Sequence, residues 1–262
     1  MLMLVNFGII RTFIFDINGT VMQWNRLNPH MEKLISTLKK RHKKVYYVTD
    51  NCVLTRLQMA EKLTKLGIKT QEKDIISSGY VAACYFESKG IDKVYVAGER
   101  GLVSELGDKG IRISEDADHV VLSIDRNFNY MKLKKVGDLA QKGAKLYATG
   151  ANRNWYIDDE VYPAEMPIID AVKKYTGKDI MLFGMPSPEM KAKLFEDVFL
   201  FPEDTLLIGD TLATNIKFGN MCGFRTGLVL TGESAEHDLS SISADEKPTV
   251  VIRDIRNIIK NL

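Results

Sequence analysis

The sequence predicts an α/β protein built on a doubly wound, mainly parallel sheet. Short apolar runs rich in β-branched and aromatic residues alternate with amphipathic helical stripes over the whole length. Two of these runs pass directly into a carboxylate, at Asp16 and at Asp210, as strands do at the ligand-binding edge of an open sheet. The 262 residues are enough for one large domain or two modest ones.

The first part of the chain predicts the order strand, helix, strand, helix. The opening strand stops at Asp16, and Asn28-Pro29 starts a helix whose apolar residues recur at helical spacing. A second strand over residues 44–48 runs into Thr49-Asp50-Asn51. The following amphipathic helix ends at Gly67, because glycine is preferred just after the last helical turn.

The middle third has a strand and helix set of its own, which indicates a separate domain. Its predicted strands are residues 94–97, 119–123 and 144–148. The last third returns to the earlier pattern, with strands predicted at 180–184, 205–209, 226–230 and 250–251. The polar stretch 233–247 is predicted to be a surface segment.

Composition excludes several classes of protein. The 36 basic and 34 acidic side chains give a net charge of +2, which argues against nucleic acid as a main partner. The three cysteines lie far apart and indicate neither a disulfide framework nor a zinc site. No apolar run reaches the length of a membrane span, and residues 1–10 lack the features of a signal peptide. We therefore expect a cytoplasmic protein without a membrane partner.

The candidate functional residues lie at the ends of four predicted strands: Asp16, Thr49, the loop 184–186 and Asp210. In a doubly wound sheet such ends meet in one crevice. Two aspartates there can hold Mg²⁺ through oxygen ligands, while a threonine hydroxyl and backbone N–H groups can hold phosphate oxygens. Structural roles stay open, because Asp16 could open an ordinary turn and Asp210 could cap a helix.

In this order the motifs resemble those of the haloacid dehalogenase superfamily, and within it the NagD-type sugar-phosphate and 4-nitrophenylphosphate phosphatases. The matching stretches are DINGT at 16–20, VTDN at 48–51, GMPSP at 184–188, GDTLATNI at 209–216, VYVAGERGL at 94–102, LSIDRNFNYMKL at 122–133 and TGLVLTG at 226–232. The resemblance implies a Rossmann-like core domain, residues 1–78 and 181–262. An α/β cap domain, residues 79–180, is inserted in it.

The resemblance also assigns catalytic positions, and several are substituted here. Asp16 matches the nucleophile, but Asn18 stands where the family has the acid/base aspartate. A carboxamide cannot shuttle a proton, and losing that function costs about 10²–10⁴ in rate. Met185 stands in place of a lysine, whose loss costs about 10²–10³. In the fourth motif Asp210 is kept, whereas Asn215 replaces an acid.

The implied ligand set follows from these positions. Mg²⁺ is expected on Asp16, Asp210 and the backbone carbonyl of Asn18, with Asn215 reaching it through a water molecule. The expected phosphate contacts are Asn18, Gly19, Thr49, Asp50 and Asn51. The cap is expected to reach the ligand through Thr149 and Asn152, although this loop reads Thr149-Gly150-Ala151-Asn152 where the family has Thr-Asn-x-Asp. The family's Pro-Gly-x-Gly likewise becomes Pro163-Ala164-Glu165-Met166.

Two main hypotheses follow. In the first, the chain binds Mg²⁺ and phosphate or a small phosphorylated molecule but hydrolyses phosphomonoesters weakly or not at all. In the second, it is an active Mg²⁺-dependent phosphatase that uses Asp16 as nucleophile on small phosphorylated metabolites. A structural remnant without ligand is a third. The resemblance implies pairing of two copies through the cap, and helical spacing gives no reason for Lys191 or Lys193 to replace the missing lysine.

Overall fold

The computed structural model describes residues 6–23, 25–157, 160–240 and 242–262. Its strands are β1 (Thr12–Asp16), β2 (Met22–Gln23), β3 (Arg26–Leu27), β4 (Lys44–Thr49), β5 (Ile75–Ser77), β6 (Lys93–Ala97), β7 (Arg112–Ile113), β8 (His119–Leu122), β9 (Lys145–Ala148), β10 (Asn154–Ile157), β11 (Glu160–Pro163), β12 (Ile180–Leu182), β13 (Thr205–Gly209), β14 (Arg225–Val229) and β15 (Val250–Ile252). Its helices are α1 (Met31–Lys40), α2 (Arg56–Lys65), α3 (Ser78–Ser88), α4 (Arg100–Asp108), α5 (Tyr130–Gln141), α6 (Glu165–Thr176), α7 (Pro188–Asp197), α8 (Lys217–Cys222) and α9 (Arg256–Lys260).

The first sheet has the strand order β15-β14-β13-β1-β4-β5, and all its neighbours are parallel. β1 lies in the middle and is buried along its whole length, which explains its continuous apolar sequence. Its register pairs Phe15 with Ile208 on β13 and Asp16 with Val48 on β4. The carboxyl ends of β13, β1 and β4 therefore lie side by side at one edge.

The second sheet, β12-β9-β8-β6-β7, is also parallel, and β10 and β11 form a separate antiparallel hairpin. Its strands come from residues 93–182, between the two groups of strands that build the first sheet. The α/β fold with mainly parallel sheets is thus confirmed. The division into domains stays a prediction; its boundary at 180/181 falls within β12, and residues 1–5 lie outside the described part.

Apolar packing joins the two sheets. One buried cluster contains Ile14 and Val48 of the first sheet together with Val121 and Tyr147 of the second. The same cluster includes Met185, in the loop that connects β12 to α7. Because this loop lies where the two sheets meet, it can carry side chains to the edge at which β1, β4 and β13 end.

Two local departures from the sequence prediction have simple causes. The helix expected from Asn28-Pro29 begins at Met31, because His30 before it adopts a left-handed conformation with φ of 67°. The strand expected over 180–184 ends at Leu182, and the chain turns into the loop that carries Met185. Among the described residues, no helix is long and apolar enough to span a membrane.

Candidate functional site

A tight loop after β1 brings Asp16 next to Asp210. The Ile17 carbonyl accepts hydrogen bonds from the backbone N–H groups of Val21 (2.9 Å) and Met22 (3.0 Å), which folds the chain back at once. Gly19 lies in this loop with φ of +83°, and a Cβ there would lie 2.4 Å from Asp210 Oδ2. Only glycine suits both the backbone conformation and the close approach. The loop therefore meets Asp210 at the end of β13.

Asp210 is buried but partly hydrogen-bonded. Its Oδ2 accepts from the backbone N–H of Glu233 (2.9 Å), and its Oδ1 accepts from Thr20 Oγ1 at 3.5 Å. Burial raises the pKa of Asp210 to about 6, and the Glu233 N–H opposes that rise. No local pattern points to Glu233, which belongs to the stretch predicted as polar surface.

Asp16 shares this environment with two other acids. The side chain is 6% exposed. Burial raises the pKa of Asp16 well above its ordinary value, and the negative charges of Asp210 and Asp50 add to the rise. Mutual repulsion of buried carboxylates is what a divalent cation relieves.

The donor set fits a hard cation of small size. Within the described ranges, no three His, Cys, Asp or Glu side chains converge as a metal site. A cation here would therefore depend on two carboxylates, neutral oxygens and water, which is a usual arrangement for Mg²⁺. Asn18 Oδ1 is buried without a hydrogen-bond partner, so the loop that carries Asp16 also has an unsatisfied acceptor.

Asn215 holds the loop after β13. It lies in a π-helical turn, Leu212–Ile216, and its Oδ1 accepts from the backbone N–H groups of Asp210 and Thr211, both at 3.1 Å. The side-chain amide also lowers the pKa of Asp16 by hydrogen bonding. Because its oxygen is already occupied, Asn215 is suited to positioning the acids rather than to direct metal contact.

Met185, which stands where the family has a lysine, is apolar and closed off from solvent. Met185 is 1% exposed and packs in the cluster between the sheets. Lys191 Nζ, near the start of α7, donates to the Met221 carbonyl at the end of α8, at 2.8 Å. Lys193 pairs with Asp197 at 2.8 Å and with Glu196 at 3.2 Å. Neither lysine lines the cavity, so neither replaces the missing cation.

The end of β4 contributes a third buried acid. Thr49 Oγ1 accepts from the Asn51 N–H at 3.2 Å, and the Asp50 carboxylate turns toward the next loop. Both Asp50 oxygens accept from the backbone N–H of Met185, at 2.9 and 3.1 Å. Burial, followed by the charge of Glu165, raises the pKa of Asp50 well above its ordinary value. The phosphate contact expected for Asp50 stays a prediction, because this carboxyl is held by the Met185 N–H and could donate to phosphate only in its protonated form.

The second sheet adds Asn152 and Glu165 to the site. Asn152 Nδ2 lies 3.5 Å from Asp50 Oδ2, and its Oδ1 accepts from Thr214 Oγ1 at 3.3 Å. Thr149, by contrast, is fully buried, donates to Ser123 Oγ at 2.8 Å and does not line the cavity. Because its hydroxyl is engaged with Ser123, the ligand contact expected for Thr149 stays a prediction that this geometry does not favour.

Together these side chains enclose a cavity of about 60 Å³. Its lining contains Asp16, Asn18, Gly19, Thr49, Asp50, Asn51, Ile124, Asn152, Asn154, Trp155, Tyr156, Ala164, Glu165, Asp210, Thr211, Asn215 and Glu233. Five of these described residues are acidic, and none is Lys, Arg or His. The cavity therefore selects for cations.

Two family models match the chain. A model of the haloacid dehalogenase-like hydrolases covers residues 13–112, and one of HAD-hydrolase-like domains covers residues 182–258. The crystal structure of a hypothetical protein from Pyrococcus horikoshii is 30% identical, covers 95% of this chain and 98% of its own, and superposes with a TM-score of 0.84. The chain belongs to the haloacid dehalogenase-like hydrolases.

Several of the similar proteins are named as phosphatases. The sugar-phosphatase AraL of Bacillus subtilis is 27% identical over 94% of this chain and 91% of its own. A 4-nitrophenylphosphatase from Thermotoga maritima is 28% identical, covers 98% of both chains and has a TM-score of 0.89. The predicted resemblance to NagD-like and 4-nitrophenylphosphatase-type phosphatases is thus confirmed.

One further similar structure contains a metal ion. A glycerol phosphate phosphatase from Mycobacterium tuberculosis, crystallised in complex with magnesium, has a TM-score of 0.84 over 97% of this chain and 78% of its own. At 21% identity it shares the fold alone.

Proposed function

We propose that the chain binds Mg²⁺ and a small phosphorylated ligand in the acidic cavity and hydrolyses phosphomonoesters weakly or not at all. The observation that carries this proposal is the combination of retained acids, Asp16 and Asp210, with a lining that has no cationic side chain. Binding of a cation needs only the acids. Rapid turnover needs a proton carrier and a positive charge as well.

The metal ligands of the proposal are Asp16, Asp210 and the backbone carbonyl of Asn18. Bound there, Mg²⁺ would supply positive charge to a phosphoryl group. Asn215 keeps both acids in place through its contacts with the backbone of Asp210 and Thr211. Burial, and after it repulsion from Asp210 and Asp50, raises the pKa of Asp16, and a divalent cation offsets both effects better than a monovalent one.

The phosphate contacts of the proposal are the neutral donors around Asp16. Thr49 is free to donate its hydroxyl hydrogen, because Oγ1 serves as an acceptor for the Asn51 N–H. The amide of Asn18 and the N–H groups of the loop around Gly19 and Asn51 are the other candidates. With five acids in the lining, these contacts suit a phosphoryl group only when a cation is bound.

Weak turnover follows from the two substituted positions. Asn18 has a carboxamide in place of a proton carrier, and its Oδ1 is buried without a partner. Met185 cannot offset the charge of Asp16 or of an incoming phosphate, because its side chain is packed in the apolar cluster. Each loss costs orders of magnitude in rate, and the two losses do not add simply.

The test is turnover of 4-nitrophenyl phosphate with Mg²⁺ by the wild type and by Asn18→Asp combined with Met185→Lys. The double variant restores both charges and is expected to hydrolyse at least about 100-fold faster, since general acid/base function alone is worth about 10²–10⁴. Single variants should gain less. Mg²⁺ affinity, measured by calorimetry, should change little.

Asn25→Asp is the matched control, because Asn25 is exposed in the same segment and does not line the cavity. It should leave turnover unchanged. Wild-type turnover in the usual enzyme range of about 1–10³ per second would contradict the proposal. Failure to bind Mg²⁺ would overturn its metal part.

One observation favours a second candidate, an active Mg²⁺-dependent phosphatase with Asp16 as nucleophile. Asp50 is a buried acid close enough for its charge to raise the pKa of Asp16, so it could carry the proton that Asn18 cannot. Asp50→Asn separates the candidates: it abolishes turnover if Asp50 is the acid and changes little if turnover is residual.

The cellular location of the protein and its pairing into dimers are proposed on fewer observations. The free cysteines Cys52, Cys84 and Cys222 support a cytoplasmic location. Pairing of two copies through the cap rests on the resemblance alone.

A further inference from the structure

Glu165 is a buried acid that the proposed phosphatase chemistry does not use. It begins α6, is 1% exposed, and its Oε2 has no hydrogen-bond partner although it lines the cavity. Buried carboxylate oxygens normally accept one or two hydrogen bonds, and leaving one without a donor is costly. The Glu165 carboxyl is therefore arranged for a donor that enters the cavity.

The neighbour of Glu165 is a second carboxyl and not a cation. The charge of Glu165 raises the pKa of Asp50, and the groups that oppose burial at these two acids are backbone N–H groups and Asn152. The chain holds both acids tightly in place. A Cβ on Gly150 would lie 2.7 Å from Glu165 Cδ, and one on Gly184 would lie 2.6 Å from Asp50 Oδ1.

The chemistry of this pair favours an ammonium group over a second metal ion. In the described part of the chain, no third acid, histidine or cysteine completes a metal site around them. A protonated primary amine offers three N–H donors and needs only a few acceptors. Trp155 and Tyr156 line the same cavity, and aromatic side chains attract organic cations.

We propose that Asp50 and Glu165 bind the protonated primary amino group of the ligand whose phosphoryl group lies at Asp16. This inference depends on the proposed function for the phosphoryl end only. The site for the amino end is argued from the unpartnered Glu165 carboxyl and its neighbour Asp50. Asp16 and Glu165 line the same cavity, so the two ends of the ligand lie close together. The ligand class is thus a short amino-alkyl phosphomonoester.

The test measures binding to the full chain by calorimetry at pH 8 with Mg²⁺. O-phosphoethanolamine is the probe with both ends, glycerol 3-phosphate lacks the amine, and ethanolamine lacks the phosphate. We expect wild type to bind phosphoethanolamine about tenfold or more tighter than glycerol 3-phosphate, the size of a hydrogen bond to a charged group. Ethanolamine alone should bind weakly, without need of Mg²⁺.

Glu165→Gln should weaken phosphoethanolamine by about tenfold and tighten glycerol 3-phosphate, because it removes a negative charge. A merely structural role of Glu165 would weaken both. Glu105→Gln is the matched control: Glu105 is also buried, but it accepts from the Arg56 N–H and lies outside the cavity. It should change neither affinity. Thermal melts confirm that each variant is folded.

The outcomes separate the two proposals. Equal affinity of wild type for both phosphates overturns the amine site and leaves the proposed function intact. Binding of ethanolamine as tight as that of phosphoethanolamine, with both lost in Glu165→Gln, overturns the phosphoryl part and supports the amine site. If Glu165→Gln does not fold, Asp50→Asn replaces it, and an unchanged preference for phosphoethanolamine in that variant overturns the amine site.

Discussion

The cavity has two halves that are built differently. The core half contains Asp16, Asp210 and Asn215, all from strand-end loops of the first sheet. The cap half is named for Asn152 and Glu165, which come from the segment predicted as the cap. It also contains Asp50 from the end of β4, so loops of both sheets form it. In the core half the Asp210 carboxylate accepts from the backbone of Glu233, whereas in the cap half Glu165 Oε2 has no partner.

The difference indicates where each half obtains its charge balance. Repulsion between Asp16 and Asp210 is a property of two neighbouring strands, and one cation between them relieves it. Repulsion between Asp50 and Glu165 crosses the contact between the sheets. When both acids are ionised, a cationic ligand can relieve the repulsion, because the described lining supplies no cationic side chain. The first half suits a metal ion, and the second suits an organic cation.

Asp210→Asn is the change that should break the core half most severely. Loss of one of two acidic ligands is expected to weaken Mg²⁺ by at least about 100-fold, the upper end of what losing an outer partner costs. Without metal the variant should be no less stable, since it removes one of two repelling buried charges. Calorimetric titration with Mg²⁺ measures the first effect, and thermal melting without metal measures the second.

The control is Asp170→Asn, which removes an exposed carboxylate from α6. Its Mg²⁺ affinity should equal that of wild type. Unchanged affinity in Asp210→Asn would mean that the cation binds elsewhere and that the two halves do not differ as argued.

Glu165→Gln should sharpen the comparison through its pH dependence. Burial raises the pKa of Glu165 to about 7 from an ordinary 4.5. The folded protein therefore holds this proton more firmly than the unfolded chain, and stability falls as pH rises between these two values. Each pKa unit is worth about 1.4 kcal/mol, so the carboxylate costs at most about 3–4 kcal/mol above pH 7.

The variant lacks this ionisation and should gain stability over wild type at pH 8 but not at pH 4. Denaturant unfolding at the two pH values measures the difference. Glu61→Gln, at an exposed position on α2, should show no such difference. A loss of stability in Glu165→Gln at pH 8 would mean that the carboxylate already has a favourable partner, which would remove the reason for a cationic ligand.

The core half could be predicted from the sequence because its signals are local. An apolar run that ends in an acid marks Asp16 and Asp210, and parallel pairing of β1 with β13 then brings the two ends together. The neutral residues Asn18 and Met185 were visible as departures from the family pattern. The packing of Met185 between the sheets was not visible, because it depends on contacts between distant segments.

The cap half could not be predicted in the same way. Glu165 was seen only as part of a changed loop, since nothing near it in sequence indicates that α6 begins beside Asp50. Thr149 and Asn152 are three residues apart, yet the first donates to Ser123 outside the cavity and the second reaches Asp50. Glu233 belongs to a polar stretch, and its backbone contact with Asp210 depends on long-range folding.

Asn152→Ala tests the link between the two halves of the cavity. Of these variants it should have the smallest effect on stability. Asn152 connects Asp50 to Thr214, but at 3.5 and 3.3 Å both hydrogen bonds are long. We expect a loss of about 0.5 kcal/mol, the low end for a hydrogen bond, as a shift of the urea midpoint with an unchanged slope. Asn154→Ala, two residues further along at the start of β10, is the control with no expected shift. A loss above about 3 kcal/mol would mean that this side chain holds the sheets together, and the halves would then respond to ligands as one unit.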